Sequence, residues 1–146
     1  MMNLIRGLYA RLIASSLVRH GVFPTSADTV AAAAVTLTAA AGAWTWGAWT
    51  QIVAAAGVTV TTQVRGFTLE NPVFGVAALQ GEVAVAIGAG GLEVEVGRYP
   101  VASPAYEFAV PIAIPIGTRL SARLRTSDAV ANTIDIKLLT ATGLPE

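Results

Sequence analysis

Through the second half of the chain, charged and apolar residues alternate with a period of two. The clearest runs are Leu92-Glu93-Val94-Glu95-Val96, Leu120-Ser121-Ala122-Arg123-Leu124-Arg125 and Ile134-Asp135-Ile136-Lys137-Leu138. That period sends successive side chains to opposite faces of a strand, so each run has one face that avoids water and one that accepts it. Helical packing would scatter these charges around the axis. The chain is therefore expected to be mainly β, with sheets that each bury one face.

Strands are predicted near Thr29 to Thr38, Ala48 to Ala55, Val58 to Glu70, Gly81 to Ile87, Leu92 to Val101, Tyr106 to Ile114, Arg119 to Thr126 and Asn132 to Thr140. Eight strands at this spacing predict a jelly-roll-like antiparallel β-sandwich. Gly88-Ala89-Gly90-Gly91 supplies a hairpin loop, Asn71-Pro72 breaks a strand, and Thr126-Ser127-Asp128 is a polar connector. Before the strands, Met1 to Val22 reads as a short helix, with Leu4, Ile5, Leu8 and Leu12 on one side and Gly21 and Pro24 to stop it. The expected organisation is an N-terminal helical arm over 1–24 and one sandwich domain over 25–146, a length that fits a single two-sheet core.

Two irregularities have local causes. In the third predicted strand the large apolar residues fall at even positions (Val58, Val60, Val64) and then at odd ones (Phe67, Leu69), so a bulge at Gly66 is needed to keep one buried face. In Val110-Pro111-Ile112-Ala113-Ile114-Pro115-Ile116 two prolines remove backbone donors, which places this strand at a sheet edge or against a neighbouring chain.

Composition narrows the function. Charged residues are 12% of the 146, half the usual share, while apolar residues reach 54%, much of it alanine. A surface with so few charges is expected to be covered in part by other chains, as a homo-oligomer or a larger assembly. Net charge is zero and no basic stripe occurs, which argues against specific nucleic-acid binding. The uncharged stretch from Thr29 to Val64 raises a membrane span, but Gly42, Gly47, Gly57, Gln51 and the threonines interrupt it. Arg6, Arg11 and Arg19 likewise interrupt the N-terminal apolar residues, so no secretory signal is read there. An eight-stranded outer-membrane barrel fits the alternation less well, because the arginine-bearing face would line a narrow lumen.

Reactive chemistry is sparse. There is no cysteine, and His20 is the one histidine, with no second ligand for a metal and no nucleophile to activate. Glu93 and Glu95 point the same way from one strand, whereas glycoside hydrolysis needs carboxylates on opposite sides of a bond. They read instead as a solvated face opposite Arg119, Arg123 or Arg125. Gly88 to Gly91 carries no Lys-Ser or Lys-Thr, so it is not a phosphate loop. No enzyme, metal or cofactor is expected. The candidate assembly or binding surface comprises Arg6, Arg11 and Arg19 of the basic arm, Trp44, Trp46 and Trp49, and Pro111 and Pro115 of the interrupted strand. The tryptophans have three readings: packing at the sheet end, a subunit interface, or a platform for a carbohydrate.

Three segments taken together, Trp46-Gly47-Ala48-Trp49-Thr50-Gln51-Ile52-Val53, the glycine-rich Val85 to Gly97, and Pro111 to Arg123, resemble small β-sandwich proteins of tailed-bacteriophage particles. The resemblance spans roughly residues 28–142 and excludes the N-terminal helix. It implies a structural virion protein, a capsid decoration (cement) protein on the surface of the phage head, made in the host cytoplasm. Its expected partners are its own copies, most simply as a trimer, and the major capsid protein. The alternative is a carbohydrate- or receptor-binding β-sandwich of a phage fibre or tail, or another head or tail component.

Overall fold

In the computed structural model, which describes residues 19–23, 34–75 and 80–142, nine strands form two antiparallel sheets. They are β1 (Arg19–Phe23), β2 (Val35–Thr38), β3 (Thr50–Val53), β4 (Thr62–Val73), β5 (Gly81–Ile87), β6 (Val94–Pro100), β7 (Ala105–Ile114), β8 (Leu120–Thr126) and β9 (Thr133–Thr142). Strands β2 to β9 fall on the eight predicted segments, but Asn71-Pro72 does not end its strand: β4 runs on to Val73, with a register shift after Glu70 where Asn71 takes φ 47°. The larger sheet runs β1-β9-β4-β7, with β2 also on β9, and the smaller runs β3-β8-β5-β6. Apart from the β5-β6 hairpin, every connection from β2 onward passes from one sheet to the other.

The first strand corrects the end of the expected helix. Instead of helix to Val22, Arg19–Phe23 pairs with Leu138–Thr142 of β9. The reason is the length of β9: β2 covers only Thr133–Ile136 on that side, and the remaining backbone groups need partners that a helix would not offer. The rest of the predicted arm, Arg6 and Arg11 included, lies outside the described residues. Arg19 opens β1.

The bulge at Gly66 is present. Both β4-β7 and β4-β9 shift register between Val64 and Gly66, so Arg65 is exposed while Val64, Phe67 and Leu69 all enter the core. Strand β7 is an edge strand, as the prolines require. Pro111 lies where Phe108 to Pro111 loop out opposite Arg65, and Pro115 follows the last residue of β7.

Between the sheets, Leu37, Val64, Phe67, Val83, Val85, Ile114, Leu120, Leu124, Ile136 and Leu138 are buried completely. Each large side chain of this kind contributes roughly 1.5–3 kcal/mol relative to exposure. Where the edges β6 and β7 meet, an aromatic group closes the core. Phe67 packs on Tyr106 with centroids 5.0 Å apart, and Tyr99 stacks on Phe108 at 4.8 Å. Burial pushes the Tyr99 hydroxyl above its ordinary pKa.

The outer face of the larger sheet carries the expected alternating charges. Lys137 pairs with Glu70 at 2.8 Å, and Asp135 accepts hydrogen bonds from Thr36 (2.6 Å) and Asn71 (2.9 Å). The Thr36 and Asn71 bonds, with Lys137 beside them, hold the Asp135 carboxyl below its ordinary value of 3.8. A depressed carboxylate stabilises the fold above the unfolded value, and that contribution disappears as the pH falls through the folded one. Thr36→Val is therefore expected to raise the Asp135 pKa, followed by carboxyl NMR, and to start acid unfolding at a higher pH. An unchanged Asp135 titration would show that the Thr36 bond is not made in solution.

Candidate functional site

The three tryptophans gather on the outer face of the smaller sheet. Sequence parity puts Trp44 and Trp46 on one side and Trp49 on the other, but the segment before β3 is not a regular strand. Gly47 donates its N–H to Leu124 O at 2.9 Å, Trp44 donates to Thr126 O at 2.6 Å, and Thr50 pairs with Ala122. Three residues of this segment thus span two of β8, and Trp44 takes a left-handed backbone with φ 55°. The extra residue in each step breaks the alternation and brings all three rings over the same face.

Arginines of β8 and β6 stand among the rings. The Arg123 guanidinium lies 4.1 Å from the Trp49 ring centre and 4.7 Å from that of Trp46. Arg125 lies 4.5 Å from Trp46 and 5.4 Å from Trp44, and Arg98 lies 5.2 Å from Trp46. The spacing follows from strand geometry. Residues two apart on a strand are separated by about 7 Å, twice an ordinary stacking distance, which leaves room for one indole between Arg123 and Arg125. The order across the face is Trp49, Arg123, Trp46, Arg125, Trp44.

Carboxylates from β5, from β6 and from Glu93 just before it fix the arginines. Glu95 bonds Arg98 at 2.9 Å and Arg123 at 3.1 Å, Glu93 bonds Arg119 at 2.7 Å, and Glu82 accepts Arg125 Nε at 2.8 Å. Gln51 of β3 adds a bond to Arg119 at 3.0 Å. Of the three arginines expected opposite Glu93 and Glu95, Arg119 pairs with Glu93 and Arg123 with Glu95, whereas Arg125 pairs with Glu82. The Glu95-Arg123 pair reaches from β6 to β8 across β5, where Ala84 and Ala86 face this side, and the Glu93-Arg119 pair joins the residues that immediately precede β6 and β8. Those alanines are fully buried although they point away from the sandwich core, because the layer of rings and ion pairs lies over them. Glu93 is held below the ordinary carboxylate range, first by its own backbone amide and then, against some desolvation, by Arg119.

This layer has the chemistry of a clamp. Its charges pair with one another, its rings share their faces with guanidinium groups, and no group of three or more His, Asp or Glu that could hold a metal occurs among the described residues. Ser121 Oγ and Arg123 Nε are buried beneath it without hydrogen-bond partners among the described residues. Sequence reasoning missed the contact between tryptophans and arginines. The signal available was the two-residue spacing of Arg123 and Arg125 beside a segment rich in tryptophan.

Pro111 and Pro115 lie elsewhere, in β7 and just past its end, at what is an edge of the larger sheet among the described residues. Both are exposed, and with them Val110 (78% exposed), Ile116 (62%) and Val60 (51%). The tryptophan group and the proline edge are thus separate surfaces, on different sheets. No family model matches the chain, and the search of curated proteins finds none similar to it.

Proposed function

We propose that the chain is a structural virion protein, a capsid decoration protein of a tailed phage, and that its fold is a jelly roll. The strand order supports the jelly-roll reading: two four-strand paths, β2-β9-β4-β7 and β3-β8-β5-β6, with connections that alternate between the sheets. The observation that carries the assembly role is the β7 edge. Val110 and Pro111 in the looped-out part of β7, and Ile116 just past its end, are all exposed apolar residues, and an interface gains by burying them.

The two prolines shape that contact. Without their N–H groups the edge offers no continuous ladder to a second strand, so it does not extend into an open fibril. Side-chain packing in a closed ring of copies, most simply a trimer, fits better. The same surface suits a capsid, where a decoration protein seals the junction between neighbouring subunits.

Native mass measurement tests the reading. The parent chain is expected to be a trimer at micromolar concentration, and Val110→Lys with Ile116→Lys is expected to release folded monomers. A parent chain that stays monomeric at high micromolar concentration overturns the proposal.

A further inference from the structure

The stack of rings and guanidinium groups ends on Trp44, and beyond it the surface opens into a cleft of about 480 Å³. That volume is in the range of small-molecule sites. Trp44 forms one wall with 41% of its surface exposed, Pro100 and Val101 form another, and Glu82 and Gln80 supply the polar groups.

Several details suit these residues to holding a ligand. A bulky residue at φ 55° is costly, on the order of 1–2 kcal/mol, and glycine or asparagine would make the same turn more cheaply. What tryptophan adds is a ring at the cleft. Glu82 takes both Arg125 bonds on Oε2, which leaves Oε1 without a protein donor among the described residues. The Gln80 backbone is tied to Ser127 in both directions, with 2.8 Å from Ser127 N–H to Gln80 O and 3.2 Å from Gln80 N–H to Ser127 Oγ. Gln80 lines the cleft, and its side-chain amide has no partner among the described residues. The apolar wall is fixed too, since Val101 N–H donates to Gly81 O at 2.7 Å.

These features specify the ligand's chemistry. It needs one apolar face to lie on an indole and several hydroxyls for a carboxylate and an amide. It is neutral, because Arg125 already balances Glu82 and neither a cation nor an anion finds an unmatched charge. We propose that the cleft binds a neutral saccharide, with a sugar ring stacked on Trp44 and hydroxyls bonded to Glu82 Oε1 and the Gln80 amide. The cleft is lined by the start of β5 and the end of β6 and includes none of Val110, Pro111 and Ile116, so this binding does not depend on the assembly proposed above.

Maltotriose, lactose and chitobiose serve as probes, titrated into the full chain by calorimetry with indole fluorescence as a second readout. At least one is expected to bind and perturb the fluorescence. Trp44→Ala is expected to weaken that binding about 30-fold, and Gln80→Ala, which leaves the stack intact, about 5-fold. If Trp44→Ala does not fold, Gln80→Ala decides alone, and parental affinity in it overturns the site. The absence of binding by all three probes at millimolar concentration overturns it as well.

Discussion

Gly66→Ala is expected to cost about 3 kcal/mol or more and to lower the melting temperature by roughly 10 °C. The Cβ it introduces would lie 1.9 Å from Tyr106 O, 3.0 Å from Tyr106 C and 3.1 Å from Glu107 Cα. All three are backbone atoms, so no rotamer change relieves the clash. The strand cannot step aside either, because β4 is bonded to β7 on one side and β9 on the other at this point. Relief would require this part of the bulge to open, and losing the bulge altogether would slip the register and turn Phe67 and Leu69 out of the core. Gly90→Ala is the control. Its new Cβ would meet only the end of the Arg119 side chain, at 3.0 Å, and a loss under about 1 kcal/mol is expected there. Thermal unfolding of the two variants beside the parent checks this. A Gly66→Ala protein that melts within a degree or two of the parent would mean that the bulge is not where these contacts put it.

That bulge was legible because it had to reconcile two runs of apolar residues with opposite parity in one strand. The edge position of β7 was legible because proline withholds a donor at a known place. Both follow from chemistry within a few residues. What could not be read locally is β1, where Arg19 to Phe23 become a strand because β9 has unpaired length to fill, a fact fixed over a hundred residues away. The tryptophans differ again. Their parity failed as a guide because it assumes a regular strand, and the turn at Trp44 with its three-for-two step along β8 breaks that regularity. Within the uncharged stretch from Thr29 to Val64, the rings of Trp44, Trp46 and Trp49 lie against arginines of the same chain, a contact that no neighbouring residue in the sequence signals.

Arg123→Ala is expected to destabilise the fold by about 2–3 kcal/mol and to free Trp46 and Trp49. The guanidinium contacts both rings, each such contact being worth about 1 kcal/mol when partly desolvated. Its bond to Glu95 is lost as well, although Arg98 stays on that carboxylate and limits the damage. A further offset comes from Arg123 Nε, a buried donor without a partner among the described residues, whose removal is favourable. The remaining cost comes from the covering of the sheet, since Ala84 and Ala86 are too small to hold the rings down themselves. Arg123→Lys separates charge from shape: the ammonium can still reach Glu95, but it has no plane to lie between two indoles. If the stack is what holds this segment, the lysine variant recovers less than half of the lost stability, and its indole fluorescence shifts toward that of solvent-exposed tryptophan. Full recovery by lysine would assign the stabilisation to the ion pair instead, and the tryptophans would then be passengers on a charged sheet rather than its cover.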